Sequence, residues 1–113
     1  MPFINIKYSQ EITPEQEEKL KTELGKAVCI IGKSENWLML GFEQNCTLYF
    51  NGEKYEKIVF VDISLYGTAT PASCNMMTKE VCGLFSNVLG VPADKIYVKY
   101  SFTDNWGWNG GNF

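Results

Sequence analysis

Histidine is missing from this chain altogether. Its absence removes the usual neutral-pH proton shuttle and excludes Ser-His-Asp and Cys-His catalysis. Any acid–base chemistry near pH 7 must use a group whose pKa has been moved. Cysteine is sparse: Cys29, Cys46, Cys74 and Cys82 stand singly, with no C-x-x-C. Thiolate zinc sites need closely paired cysteines or accompanying histidines, so no structural metal is expected. Disulfides are not needed either, because a chain of 113 residues buries roughly two-thirds of its unfolded surface and builds its own core. We read the thiols as reduced and partly buried. No apolar run is long enough to span a bilayer, and the first residues lack signal-peptide architecture, so the expected address is the cytoplasm. A basic footprint is also absent. The formal charge of −3 and pI near 4.9 argue against a nucleic-acid partner and against steering toward an anionic membrane.

What is present describes one soluble domain, residues 1–113, with 45% hydrophobic and 20% charged residues. Its first stretch is Met1-Pro2-Phe3-Ile4-Asn5-Ile6-Lys7-Tyr8. Ile4, Ile6 and Tyr8 alternate with Asn5 and Lys7, the period of a half-buried strand. Proline lacks an N–H and fits a strand best at its first residue, which accounts for Pro2 structurally. There is a chemical account as well. If Met1 is removed, Pro2 becomes a secondary amine held at a strand end in one orientation.

Thr13-Pro14-Glu15-Gln16 predicts a helix start, with Thr13 as N-cap, Pro14 in the first turn and Gln16 completing a capping box. Leu20, Leu24, Ala27, Val28 and Ile31 share one helical face, Glu15→Lys19 and Glu17→Lys21 are spaced to pair, and Gly32 supplies a left-handed stop. Trp37–Phe42 and Thr47–Phe50 read as strands, the latter followed by an Asn51-Gly52 turn. Lys57–Tyr66 is the most strand-like run, broken by Gly67. Thr70-Pro71 opens a second helix with Met77, Val81, Leu84, Phe85 and Val88 as its core face and Gly90 as its end. Lys95–Phe102 is the last long strand, and the aromatic, glycine-rich tail from Asp104 to Phe113 is expected to dock rather than fray.

A shift of 58 residues lays the first strand on Phe60–Tyr66, Gly25 on Gly83, Gly32 on Gly90 and Leu38–Phe42 on Ile96–Tyr100. The chain is thus two strand–helix–strand units. Right-handed crossovers make the strands of each unit parallel, and two units side by side give a four-stranded mixed sheet with both helices on one face. This is an α/β (α+β) architecture. Its other face, with Phe3, Leu38 and Phe60 as candidates, is expected to be too apolar for water and to drive self-association.

Lys33 follows the first helix, where a cation complements the helix dipole. Near a terminal amine, the same ammonium would disfavour protonation and would also grip a carboxylate. Trp37, Tyr97, Trp106, Trp108 and Phe113 are together enough to wall a pocket around Pro2. Tyr97 and Lys99, two apart on one strand, share a face.

These pieces resemble the macrophage migration inhibitory factor family of the tautomerase superfamily along essentially the whole chain. The likeness rests on Met1-Pro2, Gly32-Lys33, Cys82–Phe85, Val91–Tyr100, Gly107–Asn109 and Asn112-Phe113. The resemblance implies a homotrimer with sites between subunits. It also implies cofactor-free keto–enol tautomerisation of phenylpyruvate-like aromatic α-keto acids and dopachrome-like compounds. In that reading Pro2 is the base, Lys33 binds the substrate carboxylate, and a backbone amide near Tyr66 contacts substrate. Tyr97 comes from the neighbouring subunit. Several positions depart from the family's best-known member: Lys99 replaces an asparagine, Tyr66 an isoleucine, Trp106 a smaller residue, and Trp37 is an aromatic at the rim. The C-x-x-C linked to a thiol oxidoreductase activity is also missing, since the region reads Val61-Asp62-Ile63-Ser64. The alternative reading is a cytokine-like protein, secreted without a signal peptide, whose partner is a host or cell-surface receptor and whose tautomerase site is vestigial.

Overall fold

Alternating side chains and two proline-started helices produce the expected frame. The computed structural model describes residues 1–113 in full. Strand β1 (Pro2–Tyr8) runs into helix α1 (Pro14–Ala27), whose last turn tightens into a 3₁₀ segment, Val28–Ile31. A 3₁₀ turn at Glu35–Trp37 precedes β2 (Met39–Glu43). The second unit is β3 (Val59–Tyr66), α2 (Pro71–Leu89), a 3₁₀ turn at Ala93–Lys95, and β4 (Ile96–Thr103). Two short strands, β5 (Gly107–Trp108) and β6 (Gly111–Asn112), close the chain as a hairpin.

The four-stranded sheet has the order β2-β1-β3-β4, with β1 and β2 parallel, β3 and β4 parallel, and β1 antiparallel to β3. Ile4, Ile6, Tyr8, Val59, Val61, Ile63 and Leu65 are buried on the face the helices cover. From the helices, Leu20, Leu24, Val28, Met77, Val81 and Phe85 meet them. Leu84 and Val88 flank this core half-buried. Thr13 and Gln16 form the reciprocal capping box, Thr70 caps α2 by accepting from the Ser73 N–H, and Gly32 and Gly90 both adopt left-handed stops. No helix is long and apolar enough to cross a membrane.

The structure corrects several expectations. Trp37 belongs to a 3₁₀ turn rather than a strand, because Ser34 caps that turn by accepting from the Asn36 N–H, and β2 starts only at Met39. Residues 47–50 form no strand: a single bridge joins Phe50 to Glu53 across the Asn51-Gly52 turn. On α1 the ion pairs are Lys19–Glu23, Lys21–Glu18 and Lys26–Glu23, with exposed lysines and a half-buried Glu23, instead of Glu15–Lys19 and Glu17–Lys21. Such pairs contribute a few tenths of a kcal/mol.

The uncovered sheet face also differs from expectation. Leu38 packs on the core side. Phe3 and Phe60 do lie on the open face, but polar neighbours interrupt them. The register places Gly41, Asn5, Asp62 and Lys99 in one cross-strand row, with Glu43, Lys7, Phe60 and Tyr97 in the next. Asn5 Nδ2 donates to Glu43 Oε2 at 2.7 Å, and Lys99 Nζ stands 3.9 Å from Asp62 Oδ1. That carboxylate oxygen is itself buried and accepts no hydrogen bond.

Candidate active site

Pro2 sits where the alternation of β1 requires it, buried at the strand's first position and opposite Leu65 of β3. The end of β3 is fixed beside it. The Tyr66 N–H donates to Met1 O at 3.1 Å, and the Gly67 N–H donates to Thr103 O at 2.9 Å, with Gly67 turning the chain at φ 83°. Lys33 follows the left-handed Gly32, which aims its side chain across the sheet end. Its Nζ donates to Tyr66 O at 2.9 Å. Tyr66, through its N–H on one side and its C=O on the other, therefore links the first residue of the chain to the Lys33 ammonium.

The walls are aromatic, and their placement is local in origin. Glu35 lies flat over Gly25 of α1, so closely that a Cβ on Gly25 would fall 3.1 Å from Glu35 Cγ and closer still to the carboxylate. This side chain-free seat sets the 3₁₀ turn that carries Trp37. The Trp37 ring meets Trp108 edge-on, with centroids 5.0 Å apart. Asn109 and Gly110, both at positive φ, reverse the tail so that Phe113 stacks on Trp108 at 6.2 Å and contacts Tyr66 at 5.5 Å. The Phe113 N–H closes the hairpin on Trp106 O at 3.0 Å. Met1, Pro2, Phe3, Trp37, Trp106 and Trp108 thus line a cavity of about 340 Å3, joined at its edge by Asn36, Leu38, Met39 and Gly107.

The electrostatics of this corner are those of a depressed amine. In the chain carrying Met1, burial and then the Lys33 ammonium push the terminal α-amino group below its ordinary value. Both effects disfavour the charged form. No group of three or more Cys, Asp or Glu side chains is arranged to hold a metal ion.

Of the residues singled out in the sequence, Pro2, Lys33, Tyr66, Trp37, Trp106 and Trp108 converge here. Tyr97 and Lys99 do not. Tyr97 lies in the row of Phe60 and Lys7, five positions along β4 from Phe102, the residue in Pro2's own row. That is roughly 17 Å at strand rise. There Tyr97 is 61% exposed and packs against Phe50, beside a smaller apolar cavity of about 280 Å3 that Leu48, Tyr49 and Phe60 help to line. Lys99 pairs with Asp62 midway between the two ends. Met39 and Asn36 escaped sequence reasoning. The parity of Met39 with Phe3 across β1 and β2 was the available signal.

A family model described as macrophage migration inhibitory factor matches residues 1–113. Among solved structures, Leishmania major MIF2 superposes with a TM-score of 0.92 at 29% identity, covering 100% of this chain and 97% of that one. The macrophage migration inhibitory factor homologue from Prochlorococcus marinus gives 0.84 at 29% identity over 98% of each chain. A more distant match is Pt0534, described as inactivated by 2-oxo-3-pentynoate, with a TM-score of 0.85 at 14% identity over 96% of this chain and 93% of that one. No curated protein matches the chain.

Proposed function

Because the chain belongs to the macrophage migration inhibitory factor family, we propose that it is a keto–enol tautomerase for aryl α-keto acids of the phenylpyruvate type and for dopachrome-like compounds, with Pro2 as the base. The observation that carries this reading is the buried strand-end Pro2 opening into an aromatic cavity beside an anchored ammonium. Loss of Met1 would convert the Pro2 nitrogen from an amide into a secondary amine. Apolar walls and Lys33 would keep that amine neutral at physiological pH, as they depress the amine of Met1.

In this reading the aryl ring enters between Trp37, Trp106 and Trp108, and Lys33 pairs with the carboxylate. Pro2 takes a proton from the carbon next to the carbonyl and returns one to the enolate oxygen. The net change moves a hydrogen without a cofactor. Loss of Met1 would also free the Tyr66 N–H, which Met1 O accepts from when present. A preorganised donor released beside the reacting carbonyl is worth a few kcal/mol in such sites. Tyr97 and Lys99 would reach the cavity only from a second copy of the chain, as the proposed homotrimer requires.

The test is enolisation of phenylpyruvate by the chain without Met1, confirmed by intact mass, against Pro2→Gly and against the chain retaining Met1. The proposal expects turnover only in the first, rising with pH through a midpoint below the ordinary α-amino range near about 8. Equal rates for the proline and glycine forms would remove Pro2 as the base.

A further inference from the structure

We infer that the side-chain amide of Asn36 reads a hydroxyl on the aryl ring, so that the aromatic cavity prefers ring-hydroxylated aryl α-keto acids over those with a bare ring. The inference rests on the proposed reading of that cavity as an aryl site, but not on Pro2 acting as a base.

The lining of the cavity carries little polarity. Trp37, Trp106 and Trp108 offer indole N–H donors but no acceptor, and the other lining side chains are apolar except for Asn36. An amide both donates and accepts, which makes Asn36 the one lining side chain able to do both. Backbone bonds alone fix its place. The Asn36 N–H donates to Ser34 Oγ at 3.2 Å, the Trp37 N–H to Ser34 O at 3.2 Å, and the Leu38 N–H to Glu35 O at 3.0 Å. The side-chain amide takes no part in these bonds and makes none elsewhere in the chain, so Oδ1 and Nδ2 stand free at the cavity edge.

The position suits the far end of a substrate. Lys33, which pairs with the carboxylate in the proposed reading, is anchored on Tyr66 O at 2.9 Å. Asn36 follows it by three residues, a distance of at most about 10 Å along the chain. It sits on the same turn that brings Trp37 against Trp108, with ring centroids 5.0 Å apart. One short segment thus supplies an ammonium for the acid end and an amide for the ring end. Whichever way the amide is turned it meets a phenol: Oδ1 accepts from the O–H, or Nδ2 donates to the phenol oxygen. Because Asn36 is exposed, a bare ring leaves its amide in water rather than stranded. The preference is therefore that of one neutral hydrogen bond, about two- to tenfold, and not the roughly 10⁴-fold of a buried polar pocket.

All three tryptophans of the chain line this cavity, so intrinsic fluorescence reports its occupation. The chain lacking Met1 is titrated with phenylpropionate and with 4-hydroxyphenylpropionate, unreactive acids that differ by the hydroxyl alone, exciting at the red edge where a phenol does not absorb. The hydroxylated acid is expected to bind about two- to tenfold more tightly. Asn36→Leu, close in volume, should bring the two affinities together, and Asn36→Gln, which keeps the amide, should restore part of the difference. The ratio of kcat/KM for 4-hydroxyphenylpyruvate over phenylpyruvate should follow the same order among the three chains. Equal affinities in the parent chain, a ratio that survives in Asn36→Leu, or quenching by neither acid would overturn the inference. Proline-dependent turnover without a hydroxyl preference sinks this inference alone. A hydroxyl preference that vanishes in Asn36→Leu, without any turnover, leaves it standing and sinks the tautomerase reading.

Discussion

The two strand–helix–strand halves are built to one plan, and the site lies where they part. Strand faces match at a shift of 57, since Ile4, Ile6 and Tyr8 correspond to Val61, Ile63 and Leu65, and Thr13-Pro14 corresponds to Thr70-Pro71. The return strands match at 58, with Met39, Gly41 and Glu43 corresponding to Tyr97, Lys99 and Ser101 on the open face. The second helix therefore carries one residue more. The first half makes up the difference by tightening Val28–Ile31 into 3₁₀, which rises more per residue. Both helical segments then span about 29 Å from cap to glycine. Gly32 and Gly90 end them with nearly the same angles, φ 73° and ψ 25° against φ 71° and ψ 24°. One position on, the halves diverge: Val91 is buried, whereas Lys33 reaches out to Tyr66 O. A duplicated frame can thus keep its core symmetric while one residue after each helix decides between packing and chemistry.

The largest expected effect removes the group that only the first half possesses. Pro2→Gly in the chain lacking Met1 should lower phenylpyruvate enolisation by about 10²–10⁴-fold, read as initial rates, with the fold intact by circular dichroism. Next, giving the second half the first half's residue should break it. Val91→Lys forces an unpaired charge into the core and should cost about 3–5 kcal/mol in urea unfolding. The reverse exchange, Lys33→Val, should leave stability almost unchanged. It should reduce kcat/KM about 10- to 100-fold through loss of the carboxylate partner, a charge-assisted contact worth about 1.5–3 kcal/mol. It should also shift the pH–rate profile to the alkaline side, because a neighbouring ammonium that lowers the amine's pKa has gone. The smallest effects compare the two stops. Gly32→Ala and Gly90→Ala should each cost about 1–2 kcal/mol for left-handed geometry. The second should cost more, since an added Cβ would fall 3.0 Å from Lys57 Nζ, which donates to Leu89 O at 3.0 Å. Equal losses would mean that the Lys57 contact contributes nothing.

The frame was legible because period-two burial, proline-opened helices and glycine stops are all local signals, and here they agree with the tertiary structure. The family likeness carried over into a match along residues 1–113. The repeat was visible too, but a single shift of 58 fits only the glycine stops and return strands; the first strands and helix starts match at 57, and the extra helical residue leaves no mark in composition. Trp37 was misplaced for a similar reason. Its hydrophobic neighbours read as strand, while Ser34 and the seat on Gly25 decide for a turn. Lys33, Tyr66 and the tail tryptophans were found as types and positions. Their convergence depends on long-range hydrogen bonds, Lys33 to Tyr66 and Tyr66 to Met1, that no spacing encodes.

The lone Asp62 oxygen at the middle of the bare sheet has a consequence for whatever comes to rest there. Asp62 Oδ1 is already shut away, with the Lys99 ammonium 3.9 Å off. A greasy, tightly fitting cover would strip water from the rest of this charged pair, a penalty of several kcal/mol per ion. Any neighbour that settles on this surface must therefore arrive with polar groups for the exposed parts of Asp62 and Lys99, or stop short and leave a film of solvent. The interior of such an assembly would be moist.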